Sequence, residues 1–539
     1  MMLRVFLVLF LVALASSSFH RVPKLSDPLG LGLGWELHEL QVEDYVKGSV
    51  WPKPQLESQT GAVFKLTPQN FKFVITGPSC DVLEEAIQRY KRLTFPDNVG
   101  ESKKNLSEIT QLSIIVIDKY EKLTLESDES YKLDVLTPTS ILVAYTVWGA
   151  LRGLESFSQI VHQDPDGFYF ANGTHIDDYP RFHHRGFMID TSRHYLNVSV
   201  ILQFLDAMSY SKFNVLHWHV VDDQSFPFVS KTFPQLSDEG AINNKTHIYT
   251  QDDVEKILEY ARLRGIRVIP EFDTPGHTFS WRSITNLLTP CYSHGKPTGS
   301  LGPINPTIES NYEFLTDFFK EIAERFPDKY VHLGGDEVPF NCWQSNPGIT
   351  EFMMGMGYGT NYSLLEQYYE QKLLKIVGSL DKEYIIWQEV VDNGVEVLPD
   401  TVVNVWKSPW KNEIAKVTGL GLKAILSSCW YLNYISYGND WHKYYQCDPQ
   451  DFVGTDKQKE LVMGGTGCMW GEFVDATNVL PRTWPRALAV GERLWSNKYV
   501  TDLNDADKRL WEHRCRYIRR GIPAEPGVQS QYCRHEWYY

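Results

Sequence analysis

Two adjacent carboxylates, Asp336 and Glu337, follow the glycine pair Gly334 and Gly335. Because glycine adopts backbone conformations that other residues avoid, the chain can turn here and bring both side chains to one site. Glycoside hydrolysis usually needs two carboxyl groups, one of them kept protonated as a general acid. Neighbouring carboxylates raise the pKa of one member of such a pair, which suits that task. The string is only moderately specific, because it also fits a pair of acids at a helix start, stabilised by the helix dipole.

His277 is a candidate for holding or tuning such an acid, and Asp222 is a candidate for fixing its imidazole in turn. A histidine bonded to a carboxylate keeps one orientation and one proton position, which is what this task requires. The alternative interpretation is a loop histidine whose hydrogen bonds are simply satisfied.

A metal site is the competing interpretation of His217 and His219. Residues two apart on a strand face the same way. With Asp222 or Asp223 the two imidazoles could bind a metal ion, as in a barrel metallohydrolase. His277 and Asp336 could supply further ligands from later strand ends.

Tryptophans end three predicted strands, at Trp387, Trp406 and Trp470. Aromatic rings stack on the apolar faces of sugars, while carboxylates and arginine bond the sugar hydroxyls. Any one of these tryptophans could simply be part of the core. Three of them beside charged residues, with no phosphate-binding loop in the chain, favour sugar chemistry and speak against the metal site.

The elements that must position these residues form one repeating pattern. From residue 180, short apolar strands alternate with amphipathic helices such as 200–212, 252–264, 311–325 and 364–377. The predicted strands are 186–189, 214–221, 266–272, 330–333, 384–387, 402–406, 424–426 and 462–470. Near-continuous apolar strands separated by helices predict a parallel sheet, and eight such units predict a (β/α)8 TIM barrel with its site at the carboxyl ends of the strands. A doubly wound sheet is the alternative.

The chain before the barrel predicts a small α+β domain. Strand-like runs occur at 62–66, 71–75 and 112–117, and helical spacing at 82–93 and 147–160. A turn-rich loop at 164–167 is the predicted edge of this unit. We therefore predict a signal peptide over 1–18, the small domain over 19–165 and the barrel domain over 166–539.

Export is indicated at the N-terminus, where Arg4 precedes an apolar run and a small-residue cleavage site, as is typical of a signal peptide. No later segment has eighteen uninterrupted apolar residues, so we expect no stable membrane insertion. Eight cysteines without a C-x-x-C pair favour disulfides over metal or redox sites. Five glycosylation sequons fit the same route, at Asn105, Asn172, Asn197, Asn244 and Asn361. The net charge of −15 argues against nucleic acid and anionic membranes as partners.

Several strings, in order along the chain, resemble the β-N-acetylhexosaminidases of glycoside hydrolase family 20, and most closely the eukaryotic lysosomal subunits. They are His184-Arg185-Gly186, Asp190-Thr191-Ser192-Arg193-His194-Tyr195, His217-Trp218-His219, the runs 271–277 and 332–337, Trp387-Gln388-Glu389 and the run 468–472. The likeness runs through the whole barrel and more loosely through the small domain. It implies an exo-acting, retaining hydrolase that releases terminal β-linked N-acetylglucosamine or N-acetylgalactosamine.

The resemblance also implies roles at the site, with no cofactor and no metal. The 2-acetamido oxygen of the substrate would attack C1, Glu337 would be the acid and base, and Asp336 would orient the acetamido group. Asp222 and His277 would support Glu337. The remaining roles are Tyr431 bonding the acetamido oxygen, Trp387, Trp406 and Trp470 enclosing the acetyl group, and Arg193 and Glu472 holding hydroxyls. Asn433 would lie at the sugar 6-position, but the arginine that accompanies it in subunits accepting 6-sulfated sugars is absent here.

Disulfides and assembly are implied in the same way. The family pattern pairs Cys291 with Cys342 and Cys515 with Cys533, with Cys429–Cys447 as an additional pair. Cys80 is expected to be free, because 112–125 contains no partner. Related enzymes imply a homodimer. Two alternatives stay open beside the hydrolase: a sugar-binding or partner subunit with weak turnover, and the metallohydrolase using His217 and His219.

Overall fold

The structure is a computed structural model that describes residues 47–118, 122–527, 532–534 and 536. The predicted signal peptide, 1–18, lies outside these residues. Within the described part of the chain, no helix is both long and apolar enough to cross a membrane.

The first part of the described chain is a mixed seven-stranded sheet with two helices. Its elements are β1 (Leu56–Leu66), β2 (Lys72–Ile75), α1 (Asp81–Thr94), β3 (Gln111–Asp118), β4 (Tyr131–Asp134), β5 (Thr139–Thr146), α2 (Val147–Ile160), β6 (His162–Gln163) and β7 (Tyr169–Asp178). The strand order is β1-β7-β4-β5-β3-β2, with β6 paired to β7. Every second residue of β3 is buried, as the period of two in its sequence predicts.

Helix α2 joins this sheet to the barrel, and all of its residues are buried. One side packs on β4 and β5, and α1 packs beside it. On the other side, Arg152 donates to the backbone carbonyls of Arg264 and Gly265, just before a barrel strand. Arg152 also forms a buried ion pair with Glu129, which pairs with Arg185 of the barrel as well. The small sheet is therefore fastened to the barrel by buried charges.

The domain edge predicted at 165 falls before the last strand of the small sheet. β7 pairs antiparallel with both β1 and β4. The turn-rich residues that suggested an edge instead close the β6–β7 hairpin, where the Gly167 N–H donates to the Asp164 carbonyl at 3.0 Å. The turn chemistry was recognised correctly, but a hairpin turn and a linker share the same residue types.

The barrel is closed and parallel, which confirms the predicted fold class. Its strands are β8 (His184–Asp190), β9 (Val215–Val221), β10 (Arg267–Phe272), β13 (Tyr330–His332), β14 (Glu383–Trp387), β15 (Val402–Val405), β16 (Lys423–Leu426) and β17 (Val462–Met469). They pair in chain order, and β17 returns to β8. All eight coincide with the predicted segments to within two residues.

Helices surround these strands. They are α3 (Val198–Tyr210), α4 (Gln235–Gly240), α5 (Gln251–Arg262), α6 (Glu309–Arg325), α7 (Phe340–Ser345), α8 (Pro347–Gly355), α9 (Tyr362–Ser379), α10 (Glu389–Asp392), α11 (Trp410–Gly419), α12 (Trp441–Tyr445), α13 (Asp456–Glu460), α14 (Val479–Thr483), α15 (Arg486–Trp495) and α16 (Leu503–Arg519). A hairpin of β11 (Leu288–Ser293) and β12 (Lys296–Ile304) is inserted after β10.

An apolar layer closes the amino-terminal end of the barrel interior. It consists of Val215, Ile269, Tyr330, Ile385, Val402 and Ile425, all buried and in mutual contact. The candidate residues His277, Asp336 and Glu337 follow β10 and β13, beyond the carboxyl ends of these strands. The fold thus confines the candidate chemistry to one end of the barrel.

Candidate active site

The turn after β13 carries Asp336 and Glu337 on a backbone that requires glycine. Gly334 and Gly335 have φ angles of +71° and +93°, in the left-handed region that favours glycine. A Cβ atom on Gly334 would lie 1.7 Å from Asp273 Oδ1, and the Gly335 N–H donates to the same oxygen at 2.8 Å. The Asp273 carboxylate, just past the end of β10, therefore holds the turn in place.

Asp336 and Glu337 lie in opposite environments although they are adjacent in the chain. Asp336 is 6% exposed, whereas 59% of the Glu337 side chain is exposed. Burial raises the pKa of Asp336 well above its usual range, and the charge of Asp273 adds to the rise. A hydrogen bond from His277 lowers the pKa of Glu337. The raised pKa of the pair thus belongs to Asp336 and not to Glu337, the predicted acid. Asp336 loses its hydration on burial, whereas Glu337 gains a cationic partner.

His277 links the buried and the exposed parts of the site. Its Nδ1 donates to Asp273 Oδ2 at 2.6 Å, and its Nε2 lies 3.6 Å from Glu337 Oε2. Burial disfavours a charged imidazole, but the Asp273 carboxylate outweighs it and the pKa of His277 is strongly raised. Asp273, rather than the predicted Asp222, therefore fixes the ring. Asp222 lies close by, with a carboxylate oxygen within 4.8 Å of ligand atoms of both residues.

Asp222 holds Arg193 instead. The Arg193 guanidinium lies between two carboxylates, with Nη2 at 2.9 Å from Asp222 Oδ2 and Nη1 at 3.0 Å from Asp190 Oδ2. Burial opposes the charge of Arg193, but Asp190 and Asp222 outweigh it and raise the pKa of the guanidinium. The same Asp222 oxygen also accepts from His219 Nε2 at 3.0 Å. Arg193 is thus a fixed cation at the rim of the site.

Glu271 occupies the centre of the network and was not singled out from the sequence. His217 Nε2 and His219 Nδ1 lie 2.7 and 2.9 Å from its Oε2, and the Trp387 indole N–H donates to its Oε1 at 2.8 Å. The available signal was a lone carboxylate in an apolar strand, two residues before Asp273. Residues two apart on a strand face the same side, so Glu271 and Asp273 both enter the barrel.

The predicted aromatic residues form one cluster above this network. Trp387, Trp470 and Tyr431 are buried together with Met188 and Cys468, and Trp406 packs against them. The rings of Trp406 and Tyr431 stack at 6.1 Å with an interplanar angle of 22°, and Trp387 and Trp470 are 6.0 Å apart. The cluster adjoins the turn that carries the acids, because the Trp387 backbone N–H donates to the Gly334 carbonyl at 2.9 Å.

Two family models match the chain over its two parts. The model described as "Glycosyl hydrolase family 20, catalytic domain" matches residues 182–498, and "beta-acetyl hexosaminidase like" matches residues 50–160. The first alone spans more than half of the 539 residues.

The chain belongs to glycoside hydrolase family 20.

Relatives of this family-20 chain support the same conclusion over nearly its whole length. It is 52% identical to beta-hexosaminidase subunit beta of Homo sapiens over 502 residues, which cover 90% of each chain. It is 49% identical to beta-hexosaminidase subunit alpha of Bos taurus over 510 residues, covering 91% and 96%. The solved chitobiase of Flavobacterium johnsoniae is 29% identical with a TM-score of 0.77, covering 88% of this chain and 73% of its own. The chain is therefore an enzyme of the β-hexosaminidase type.

Two predicted sugar-binding residues of this family-20 enzyme stand apart from the network. Glu472 follows β17 and is exposed, and its charge contributes to the raised pKa of Arg193. Asn433 is half-buried in the loop after β16, where its backbone carbonyl accepts from Arg482. Its side-chain oxygen has no hydrogen-bond partner among the described residues. The Glu472 side chain is open to solvent, whereas the Asn433 oxygen is buried.

The structure joins the predicted cysteine pairs. Disulfides connect Cys291 with Cys342, Cys429 with Cys447, and Cys515 with Cys533. Cys80 and Cys468 are free. The first disulfide ties the β11–β12 hairpin to α7, just after the turn that carries Asp336 and Glu337. Four sequon asparagines are exposed (Asn105, Asn197, Asn244 and Asn361), whereas Asn172 is half-buried within β7.

The residues that could hold a metal ion are the same ones that form the network. Three groups have possible ligand atoms within 4.8 Å of one another: His217, Glu271 and His332; Asp222, Asp273 and His277; and Glu271, Asp273 and Asp336. The predicted pair of imidazoles converges on one oxygen of Glu271, and the second nitrogen of His219 bonds Asp222. The Nε2 atoms of both imidazoles are thus engaged in hydrogen bonds within the protein. This arrangement favours a positioning role for His217 and His219 over a metal site.

Proposed function

We propose that this enzyme removes terminal, non-reducing β-linked N-acetylglucosamine and N-acetylgalactosamine from glycoconjugates by substrate-assisted, retaining catalysis. The observation that carries the proposal is the contrast between its two acids. Glu337 is exposed, where a leaving group can reach it. Asp336 is buried beside the aromatic cluster. A protein carboxylate that attacks the sugar would have to reach C1 from the open site, whereas Asp336 is placed to face a group inserted among the aromatic rings.

In the proposed reaction the acetamido group enters the cluster of Trp387, Trp406, Trp470 and Tyr431. Its oxygen attacks C1 as the bond from C1 to the leaving oxygen breaks, and Glu337 gives its proton to that oxygen. Asp336 accepts the acetamido N–H and stabilises the positive charge that spreads over the oxazolinium ring. Water then attacks C1 from the opposite side as the bond from C1 to the acetamido oxygen breaks, and Glu337 takes up the proton of the water. Two inversions give net retention.

The proposed reaction needs Glu337 protonated and Asp336 ionised. In the free protein the pKa of Asp336 is raised and that of Glu337 is lowered, which favours the opposite protonation states. Substrate binding supplies the change at both residues. A bound glycoside covers Glu337 and removes water from it, which raises its pKa. The acetamido N–H and the developing cation favour the charged form of Asp336, which lowers its pKa. Binding therefore moves both protons toward the reactive arrangement.

The rest of the sugar would be held by residues at the strand ends. Arg193, fixed between Asp190 and Asp222, and the exposed Glu472 suit the ring hydroxyls. Asn433 suits the 6-position, since its side-chain oxygen is unpartnered among the described residues. His277 would support Glu337. Asp273, just past the end of β10, holds His277 in turn.

We also propose that the enzyme travels the secretory pathway, to the lysosome or out of the cell, and works as a homodimer. Three disulfides and four exposed sequons support the route. The human and bovine relatives are named as subunits. An exposed apolar segment near the site mouth offers a contact surface, with Tyr434, Ile435 and Tyr437 largely open to solvent.

The test is hydrolysis of a chromogenic β-N-acetylglucosaminide by wild type and Glu337→Gln, with and without a chelator. We expect wild-type turnover that survives chelation and a fall of about 10² or more in the variant, the scale for losing a general acid. Absence of wild-type turnover would leave a sugar-binding or partner subunit. Turnover abolished by the chelator would favour the metallohydrolase.

A further inference from the structure

Glu271 is a buried carboxylate at the junction of two parts of the site. It lies in the middle of the barrel with no exposed surface. Donors reach it from two neighbouring directions: the imidazoles of His217 and His219 on β9, and the indole of Trp387 on β14. Moving a carboxylate out of water costs several kcal/mol unless strong partners offset the loss. A protein that keeps this charge in its core needs the contacts that it makes.

The first part that Glu271 reaches is the aromatic cluster. The Trp387 ring packs at 6.0 Å from Trp470 and at 4.7 Å from His332, and its indole N–H donates to Glu271. A tryptophan held by packing alone can adopt other rotations once the cavity beside it is empty or filled. The bond to Glu271 therefore sets the plane of one wall of the cluster.

The second part is the chain of bonds that ends at Arg193. Glu271 Oε2 lies 2.9 Å from His219 Nδ1, His219 Nε2 bonds Asp222, and Asp222 bonds Arg193. Burial disfavours a charged His219, but Glu271 outweighs it, and with Asp222 it raises the pKa of the imidazole. A protonated His219 donates at both nitrogens and so holds both carboxylates. A neutral His219 could donate to only one of them.

The groups facing this imidazole come from every neighbouring strand. Glu271 lies on β10 and Asp222 at the end of β9, and the charge of Asp190, at the end of β8, also acts on it. The ring of Trp470, after β17, packs edge-on at 4.8 Å. His217, on the same strand, lies 2.7 Å from the same Glu271 oxygen, and His332 on β13 lies 3.4 Å from the other oxygen. The cation Arg193 is engaged by Asp190 and Asp222. The imidazolium therefore sits among three acids, of which Glu271 is the only one that Arg193 does not contact.

We propose that Glu271 is a positioning residue that couples the aromatic wall to the sugar-binding arginine, by orienting the ring of Trp387 and the imidazole of His219. This inference rests on the proposed function, because it assigns both parts to one sugar. Glu271 touches no reacting atom. Before substrate binds, it fixes the position of Trp387, which would enclose the acetamido group, relative to Arg193, which would bind the hydroxyls.

Glu271→Gln tests the coupling, with Glu366→Gln as its matched control. Glu366 is an equally buried acid on α9, with a pKa raised by burial to about 7, and its carboxyl group bonds Asn393 rather than the site. We expect Glu271→Gln to lower kcat/KM by about 10- to 100-fold, the scale for losing hydrogen bonds to a charged group, with most of the change in KM. Inhibition by N-acetylglucosamine should weaken by a similar factor. Glu366→Gln should match wild type.

The pH profile separates positioning from a general loss of structure. Without the Glu271 charge, His219 loses its proton at a lower pH, so inhibition by N-acetylglucosamine should weaken with rising pH in Glu271→Gln at pH values where wild-type inhibition is constant. The variant should recover part of this affinity as the pH is lowered. This readout does not depend on the protonation of Glu337, which sets the alkaline limb of kcat/KM. A profile of wild-type shape, or a kcat/KM equal to that of Glu366→Gln in an active wild type, would overturn the inference. An inactive wild type would instead overturn the proposed function.

A second pair of variants decides the question if Glu271→Gln does not fold. Trp387→Phe keeps the ring but deletes the donor to Glu271, and His219→Gln removes the imidazolium. Because both partners act on one carboxylate, their effects on kcat/KM should not multiply, and the double variant should depart from the product of the single effects by more than about threefold, the usual size of coupling between contacting residues. Simple multiplication of the two effects would overturn the coupling.

Discussion

His277 Nε2 lies 3.6 Å from Glu337 Oε2, while the other nitrogen of the same ring donates to Asp273 at 2.6 Å. An exposed acid is thereby connected through one imidazole to a fully buried carboxylate. Asp273 raises the pKa of His277 against the effect of burial, and the resulting cation lowers the pKa of Glu337. The buried Asp273 thus influences the pKa of Glu337, the proposed catalytic acid, through His277.

Asp273→Asn should shift the alkaline limb of the pH profile. Without the Asp273 charge, His277 is neutral at pH values near and above its ordinary pKa, so Glu337 loses its cationic partner and its pKa rises. Glu337 then stays protonated to higher pH, and the alkaline limb of kcat/KM moves up, while kcat falls because His277 is no longer held. The asparagine oxygen can still accept from the Gly335 N–H. Asp190→Asn is the control, because Asp190 contacts Arg193 and not His277. It should lower the affinity for substrate without moving the alkaline limb. Equal shifts of the limb in both variants would contradict the role of Asp273.

Asp336→Asn should remove the acidic limb. The pKa of Asp336 is raised by burial and by Asp273, so its carboxylate form is lost as the pH falls through a value above the ordinary one. We expect kcat/KM of the wild type to decline there. The variant should be slower by about 10²- to 10³-fold, the scale for losing one group that stabilises developing charge, and its residual activity should lack that decline. An acidic limb that persists in Asp336→Asn belongs to another group.

Gly334→Ala should destabilise the protein through the catalytic turn. The new Cβ would lie 1.7 Å from Asp273 Oδ1, at a φ of +71°. The left-handed conformation alone costs a non-glycine residue about 1–2 kcal/mol, and displacing Asp273 adds to that. Gly357→Ala is the matched control, because its φ is +75° but no atom lies within 4 Å of the added Cβ. The midpoint temperature of thermal unfolding should fall further for Gly334→Ala than for Gly357→Ala. Activity should be lost in Gly334→Ala and kept in the control.

Arg193→Lys should raise KM although it keeps the charge. The guanidinium bridges Asp190 and Asp222 through separate nitrogens, which a single ammonium group cannot reproduce while also presenting a donor to the sugar. We expect KM to increase by about 10-fold or more, as for the loss of a charge-assisted hydrogen bond. The measurement is the initial rate as a function of substrate concentration at a fixed pH. An unchanged KM would show that the Arg193 side chain does not bind the sugar.

Much of this architecture was predictable because its signals are local. The eight barrel strands are short apolar runs bounded by polar residues, and each predicted run coincides with a strand. The rule that barrel chemistry lies at the carboxyl ends of strands then brings Asp336, His277 and Trp387 together from three separate segments. The glycine pair before Asp336 proved to be required by the turn, as its sequence indicated.

The parts that were not predictable depend on contacts between distant residues. Both Asp222 and Asp273 precede His277 in the sequence, and only the three-dimensional packing shows that Asp273 bonds its imidazole. Glu271 is a single letter within an apolar strand, and its role depends on partners from β9 and β14. The pKa order of Asp336 and Glu337 depends on burial, which adjacent positions in the chain do not reveal.

The most direct test of substrate assistance is the rate of hydrolysis of glucosaminides that differ only in the N-acyl group: acetyl, fluoroacetyl, difluoroacetyl and trifluoroacetyl, with one common leaving group. Each fluorine withdraws electron density from the carbonyl oxygen that would attack C1. If that oxygen is the nucleophile, kcat/KM should fall steeply with each added fluorine in the wild type. A rate that does not depend on the number of fluorines would contradict substrate assistance and point to a nucleophile supplied by the protein or by water.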